Sequence, residues 1–226
     1  MLKPIKGNPG RFLDTASGQV LNIAEYREDD KYDSIYLPGA DDGSITIDFG
    51  AQYIFFRDIM TKRPIDTNFT QPSRLSAGEE MVVDRIGLYP RHCISSGGEI
   101  VDDDIASDIV RVVENGFFRV NVNSILLAEG PAFKFPSGYG IGGYSHDTPS
   151  TGIGVPSTAA AAKLVKTQVL TSRHEVVGYL IFHDHDWILS EAKCPATAIH
   201  PLYLLGEPGM IVTAFLHGLI KSAVNK

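Results

Sequence analysis

Alternating apolar and polar positions early in the chain predict two long β-strands. In residues 45–55 an apolar side chain occupies every second position, and polar residues such as Gln52 lie between them. Because successive side chains of a strand point to opposite faces, this run predicts a strand whose buried face carries Phe49 and Phe55. A second apolar run at 81–89 follows a long polar segment. We therefore predict that the two runs form the first hairpin of a β-sandwich.

The rest of the chain is predicted to contain further strands and one short helix. The helix at 104–115 starts beside the aspartates at 102–104, carries apolar residues at helical spacing and ends at Asn115-Gly116. The other predicted strands lie at 118–128, 163–170, 175–187, 198–205 and 209–223. About eight antiparallel strands without α/β alternation predict an all-β fold, a jelly-roll β-sandwich of two sheets.

Two stretches lack this periodicity. Residues 1–43 contain five glycines and three prolines, which exclude a continuous helix or a central strand. We therefore predict an extended N-terminal arm at 1–43, ordered by contacts with neighbouring subunits, and a single jelly-roll domain at 44–226. The glycine-rich stretch 133–162 is too long for an ordinary connection, so we expect a functional or interfacial loop there.

Composition and charge narrow the classes of function. The chain has 226 residues, 43% of them hydrophobic, and a net charge of −7. Direct nucleic-acid binding is not expected, because it requires clustered lysine and arginine side chains. No secretory signal is expected at the N-terminus, and the apolar runs are shorter than a membrane-spanning helix requires. Cys93 and Cys194 are isolated, so they predict neither a disulfide framework nor a zinc site.

The sequence His183-Asp184-His185 is the strongest candidate for chemistry. In a strand the two histidines share a face and can reach one metal ion, as in a cupin. A cupin also needs a glutamate three or four residues later and a third histidine on a later strand. Here Glu191 comes too late, and neither His200 nor His217 has the expected sequence context. We therefore predict no bound metal, no cofactor and no catalytic residue.

Two alternatives remain open from the residues alone. A cupin-type metal-dependent enzyme would use His183 and His185, and its metal content would reveal it. A carbohydrate-binding β-sandwich would use exposed aromatic side chains, for which Tyr139, Tyr144 and Trp187 are candidates.

Three stretches resemble jelly-roll capsid proteins of tailless icosahedral bacteriophages, especially those with an internal lipid membrane. They are residues 55–90, 110–138 and 210–224. The resemblance implies a structural virion protein without catalysis, made in the host cytoplasm and located in the capsid. It implies as partners further copies of the chain, other virion proteins and, in lipid-containing phages, the internal membrane. Many such coat proteins are longer double jelly rolls, so this chain would be a single-jelly-roll version or an unusually compact double one.

Overall fold

The computed structural model describes residues 2–6, 11–14, 18, 20–22, 25–38, 50–92, 112–137, 162–182 and 209–221. Strands make up most of these residues. The strands are β1 (Leu2–Pro4), β2 (Arg11–Asp14), β3 (Val20–Asn22), β4 (Arg27–Pro38), β5 (Gln52–Phe55), β6 (Glu80–His92), β7 (Gly116–Val122), β8 (Ile125–Pro131), β9 (Ala162–Thr171), β10 (Val176–Phe182) and β11 (Gly209–Lys221).

Two four-stranded antiparallel sheets form a β-sandwich, which confirms the all-β prediction. Sheet 1 has the strand order β5-β10-β7-β8, and sheet 2 has the order β4-β11-β6-β9. A third, small sheet consists of β1, β2 and β3. The eight strands of the sandwich thus pair as β4 with β11, β5 with β10, β6 with β9, and β7 with β8, and the middle strands also pair with one another.

Aromatic side chains fill the space between the two sheets. Phe118 contacts Phe55 and Phe135 edge to face, with ring centroids 5.8 Å and 5.3 Å apart. Phe55 and Phe182 are fully buried as well. Burial of one such side chain contributes roughly 1.5–3 kcal/mol. Gln52 is exposed, so the predicted register of this strand is confirmed at Gln52 and Phe55, while Phe49 lies outside the described residues.

The strand predicted at residue 118 and its continuation form a tight hairpin. Buried and half-buried side chains alternate along all of β7. Asn123 and Ser124 connect it to β8 with φ angles of 49° and 64°. Two successive positive φ angles are typical of a type I′ turn, whose twist matches that of the paired strands. Residues 112–115 are helical and the strand begins at Gly116, so the end of the predicted helix is confirmed. Its earlier part lies outside the described residues.

The two runs that we predicted as one hairpin lie in different sheets. β5 pairs with β10 in sheet 1, whereas β6 lies between β11 and β9 in sheet 2. The elbow, as we name residues 56–79, therefore crosses from one sheet to the other. The hairpin prediction is wrong because alternation identifies a strand and its buried face but not its partner.

The predicted arm contains a strand of the sandwich. β4 pairs with β11 from Arg27 to Pro38, and its residues Ile35 and Leu37 are buried in the core. The structure thus differs from the prediction of an extended arm over the whole of residues 1–43, because Arg27–Pro38 is a strand of the sandwich. The alternation of β4 is hard to recognise because Lys31 and Asp33 occupy its inward positions beside those two apolar residues.

The small N-terminal sheet lies on the outer face of sheet 2. Leu21 of β3 is buried against Val82 and Val169, which point away from the main core. Tyr26 and Leu219 pack beside this cluster. The first strands of the chain are therefore held by the sandwich of the same molecule.

Three long connections leave the sandwich at the same end. They are the stretches 39–49, 93–111 and 183–208, all outside the described residues. The residues that border them pair with one another as Pro38–Gly209, His92–Met210 and Gly116–Phe182. At the opposite end the strands are joined by short turns at 123–124 and 172–175 and by the elbow. Both ends of the sandwich thus carry long connections, and the short turns lie only at the end that also carries the elbow.

Candidate functional site

Most of the side chains that the sequence singled out lie outside the described residues. This holds for the metal-ligand candidates His183, His185, Glu191 and His200. It also holds for the aromatic candidates Tyr139, Tyr144 and Trp187 and for the two cysteines at 93 and 194. The prediction that the protein binds no metal therefore stays a prediction.

His217 is the one of these candidates that the structure describes, and it joins three segments. Its Nδ1 lies 2.7 Å from Asp30 Oδ1 on β4, and its Nε2 donates to the carbonyl oxygen of Ser137 at 2.9 Å. The imidazole is only 5% exposed. Because both ring nitrogens are already hydrogen-bonded, we interpret His217 as a structural cross-link rather than a metal ligand.

A glycine on β6 makes room for this cross-link. A Cβ atom on Gly87 would lie 2.6 Å from the Cα of Ser137, closer than real Cβ contacts allow. Just before this crossing, the Leu88 N–H donates to the carbonyl oxygen of Phe135 at 2.7 Å. The segment after β8 therefore runs along β6 and then passes across the outer face of sheet 2 at this glycine.

The inward face of β4 carries a buried ion pair with the elbow. Lys62 Nζ lies 2.9 Å and 2.8 Å from the two carboxylate oxygens of Asp33, which is fully buried. The Phe56 N–H also donates to this carboxylate, at 2.6 Å. Burial raises the pKa of Asp33, although the Lys62 ammonium and these hydrogen bonds oppose the shift. The desolvation of the carboxylate thus outweighs its attraction to the ammonium.

A second inward lysine of β4 pairs with the far end of the elbow. Lys31 Nζ lies 3.0 Å from Glu79 Oε2 and 6.0 Å from the centre of the Phe69 ring. Burial alone would raise the pKa of Glu79, but hydrogen bonds from Lys31 and Ser76 and the lysine charge hold it below its usual value. Both ends of the elbow are therefore fixed to β4 by charge.

Side chains of the elbow also cover the free backbone edge of β4. Asn68 accepts a hydrogen bond from the Tyr32 N–H at 2.9 Å and donates to the Asp30 carbonyl oxygen at 2.7 Å. Thr67 donates to the Tyr32 carbonyl oxygen at 3.1 Å. An edge strand with unpaired backbone groups invites pairing with other chains, so these contacts protect β4.

Two strained residues close the elbow onto sheet 1. Phe56 and Ser73 have φ angles of 68° and 56°, in the left-handed region that residues other than glycine rarely adopt. The Ser73 N–H donates to the Phe56 carbonyl oxygen at 2.5 Å, and the Val176 N–H donates to the Ser73 carbonyl oxygen at 2.7 Å. Ser73 thus extends the edge of β10 where β5 ends, and these contacts offset the cost of its conformation.

A shallow polar pocket lies between the small sheet and sheet 2. It has a volume of about 230 Å³, and Glu25, Tyr26, Glu80 and Lys221 contribute to its walls. The Tyr26 hydroxyl donates to Glu80 Oε1 at 2.5 Å, and Lys221 pairs with Glu25. Burial and the neighbouring Glu80 carboxylate raise the pKa of Tyr26. These contacts hold the segment between β3 and β4 against the ends of β6 and β11.

The described residues hold contacts that stabilise the fold rather than a reactive centre. They contain no group of three histidine, cysteine, aspartate or glutamate side chains that could hold a metal ion. Sequence reasoning did not find the Asp33–Lys62 and Lys31–Glu79 pairs. The sequence feature that could have indicated these pairs is the alternation of two charged residues, Lys31 and Asp33, with the same spacing as the apolar residues Ile35 and Leu37 that follow them.

Comparison with known proteins finds no matching family model, curated protein or solved structure. None of the helical segments in the described part of the chain is long and apolar enough to cross a membrane.

Proposed function

We propose that the sandwich is a jelly roll. In that fold a long two-stranded ribbon is wrapped into two sheets, so that the first strand pairs with the eighth, the second with the seventh, the third with the sixth and the fourth with the fifth. The eight strands from β4 to β11 have these four pairs. The two sheet orders given above follow when such a ribbon is wrapped.

We further propose that the protein is a capsid subunit that assembles into an icosahedral shell and performs no catalysis. Jelly rolls occur in viral capsids, lectins and cupins, which differ in where they place their function. A cupin holds its metal between the sheets, whereas a shell subunit uses its surface. The observation that carries the proposal is the interior of this sandwich, where Phe55, Phe118, Phe135 and Phe182 occupy the space between the sheets.

The long connections between the strands support a function at the surface of the sandwich. Long connections are typical sites of recognition, and three of them leave this sandwich at one end. In a shell these surfaces would contact further copies of the chain and other virion proteins. The resemblance to phages with an internal membrane adds that membrane as a partner, and the virion as the location.

Electron microscopy of the purified protein, across a range of concentration and ionic strength, tests the proposal. We expect regular lattices or closed particles. Phe55→Ala, which weakens the core, should lower the yield of particles, and Gln52→Ala, which shortens one exposed side chain of the same strand and leaves the core intact, is its control. A protein that stays dispersed under all conditions and carries one metal ion per chain, lost on His183→Ala, would instead favour the cupin-type enzyme.

A further inference from the structure

The imidazole of His217 has a hydrogen-bond acceptor at each of its two nitrogens. Its Nδ1 lies 2.7 Å from a carboxylate oxygen of Asp30, and its Nε2 lies 2.9 Å from the carbonyl oxygen of Ser137. A carbonyl oxygen can only accept a hydrogen bond, and the same holds for an ionised carboxylate. A neutral imidazole carries a single N–H, which can serve only one of these acceptors. Both bonds together therefore require one proton more than a neutral histidine beside an ionised aspartate holds.

The number of protons is the same wherever the extra proton lies. An imidazolium beside an ionised Asp30 donates from both nitrogens. A neutral imidazole beside a protonated Asp30 donates from Nε2 and accepts at Nδ1. In either case the His217–Asp30 pair binds the extra proton as long as both bonds are present. Without that proton a nitrogen lone pair faces an oxygen lone pair, at 2.7 Å on one side of the ring or at 2.9 Å on the other.

The surroundings of the ring keep water from replacing a lost bond. The side chains of His217 and Asp30 are 6% and 20% exposed, and Ser137 is buried as well. The ring of Phe215 lies parallel to the imidazole, with the ring centroids 5.6 Å apart. A buried polar group that loses its partner is costly. Loss of the extra proton therefore favours separation of the ring from one of its two partners.

The charged groups around the pair are compatible with the extra proton. Arg85 of β6 lies opposite His217 in the ladder and is the cation that would oppose it. Its guanidinium pairs with Glu28 of β4 at 2.8 Å and with Asp84 at 3.2 Å, so two carboxylates balance this cation. Lys134, next to the segment that contains Ser137, is exposed. Other charged side chains that the structure describes on β4 and β11 form ion pairs, Asp29 with Arg27 and Lys221 with Glu25.

The two bonds of His217 hold a short stretch of chain on sheet 2. We name residues 135–137 the crossing segment. The Leu88 N–H donates to the carbonyl oxygen of Phe135 at 2.7 Å, and Gly87 lets the backbone of Ser137 lie against β6. His217 joins the end of this segment to β4 and β11. The chain continues from the crossing segment into the glycine-rich stretch at 138–161.

We propose that the His217–Asp30 pair is a proton-dependent latch, which holds the crossing segment on sheet 2 while the pair binds its extra proton and releases the segment when that proton is lost. Because the closed form binds one proton more than the open form, a rise in pH favours the open form. An imidazole in water loses its proton near about pH 6.5. The preference for the closed form is therefore fully present below about pH 6.5, and it is lost as the pH rises through the point at which the closed pair gives up its proton.

Hydrogen exchange, followed by NMR from about pH 6 to 8.5, tests the latch. Phe135 is buried, so opening is rare, and amide exchange detects rare opening. Release of the crossing segment takes the acceptor away from the Leu88 N–H. The protection factor of this amide, corrected for the intrinsic exchange rate at each pH, should fall by up to about tenfold per pH unit, as the loss of one proton requires. The Val176 N–H, bonded to Ser73 at the other end of the sandwich, is the control and should keep its protection factor.

Two variants separate the proton from the hydrogen bonds. In Asp30→Asn the side-chain amide can donate to Nδ1 of a neutral imidazole, whose Nε2–H still serves Ser137, so both bonds persist without an extra proton. The protection factor of Leu88 should then no longer change with pH. His217→Phe keeps an aromatic ring beside Phe215 but removes both bonds, so it should give low protection at every pH. Melting temperatures would verify that both variants are folded.

Each outcome decides for or against the latch. Constant protection of Leu88 in the wild type, an equal change at Val176, or an Asp30→Asn variant that keeps the wild-type dependence on pH would each overturn it. If a variant does not fold, nitrogen NMR signals of the His217 ring in the wild type decide instead. These signals should change over the same pH range as the protection of Leu88, and separate ranges would reject the latch. The latch needs only a single folded chain, so its test is independent of assembly into a shell.

Discussion

Replacing Lys62 by methionine removes the cation from the most deeply buried ion pair that the structure describes. The side chains of Lys62 and Asp33 are 7% and 0% exposed, so water cannot replace the lost ammonium. The Asp33 carboxylate would keep the Phe56 N–H as a donor, but its charge would lie unpaired between the elbow and β4. Breaking a buried pair by removing one partner typically costs about 3–5 kcal/mol. For a chain of this size that loss corresponds to roughly 6–20 °C in melting temperature.

The dependence of this loss on pH identifies its cause. Burial raises the pKa of Asp33 above its ordinary value of 3.8 already in the wild type. A raised carboxyl pKa means that the native state binds the proton more tightly than the unfolded state. The contribution of Asp33 to the free energy of unfolding is therefore fully present below pH 3.8, and it is lost as the pH rises through the pKa of Asp33 in the native state. Without the ammonium the native pKa rises further, so the deficit of Lys62→Met should be smallest near pH 4 and largest at neutral pH.

Urea unfolding from pH 4 to 7.5 measures both effects. Adding Asp33→Asn to Lys62→Met should restore most of the stability, because it removes the unpaired charge. Arg57→Met, at an exposed position of the same segment, is the control and should stay within about 0.5 kcal/mol of the wild type. A Lys62→Met deficit below about 1 kcal/mol at pH 7, or a deficit that does not change with pH, would contradict the assignment of this pair as buried and charged.

Three further predictions concern the core, the N-terminus and metal content. Phe55→Ala should cost about 3–5 kcal/mol in urea unfolding, whereas Gln52→Ala should stay within about 0.5 kcal/mol; similar losses would refute the register. Deleting residues 1–22 should lower the melting temperature only moderately, because it exposes one small cluster. Deleting residues 1–38 also removes β4 and should abolish cooperative unfolding. Equal effects of the two deletions would contradict the place of β4 in the core. Elemental analysis should find less than one metal ion per chain. A stoichiometric metal that is lost on His183→Ala would reject the prediction that the protein binds no metal.

The all-β class and several strands could be predicted from the sequence because their buried faces have a simple period. β7 alternates over its whole length, and Phe55 and Gln52 lie on the faces that the pattern assigns. The pairing of strands could not be predicted in the same way. β5 and β6 are neighbours in sequence, but their pairing depends on the path of the elbow, which no period encodes.

The buried ion pairs of β4 could not be predicted from the sequence for a different reason. A lysine and an aspartate at alternate positions suggest a solvent-exposed segment, because single buried charges are costly. Lys31 and Asp33 are buried only because Glu79 and Lys62 arrive from the elbow. The partner of each charge lies tens of residues away in sequence, so the pairs appear only when the fold is known.

The pairing of the first strand of the sandwich with the last has a consequence for synthesis on the ribosome. Ser34 of β4 and its hydrogen-bond partner Thr213 of β11 are separated by 179 positions, so β4 must wait for almost the whole chain before its ladder can form. Tyr32 of β4 and Asn68 of the elbow are separated by only 36 positions. Among the described residues, the elbow is thus the first segment after β4 that bonds the backbone of this strand. Because Asn68 bonds the edge of β4 that β11 leaves free, the elbow can hold one edge of this strand long before the other edge is paired.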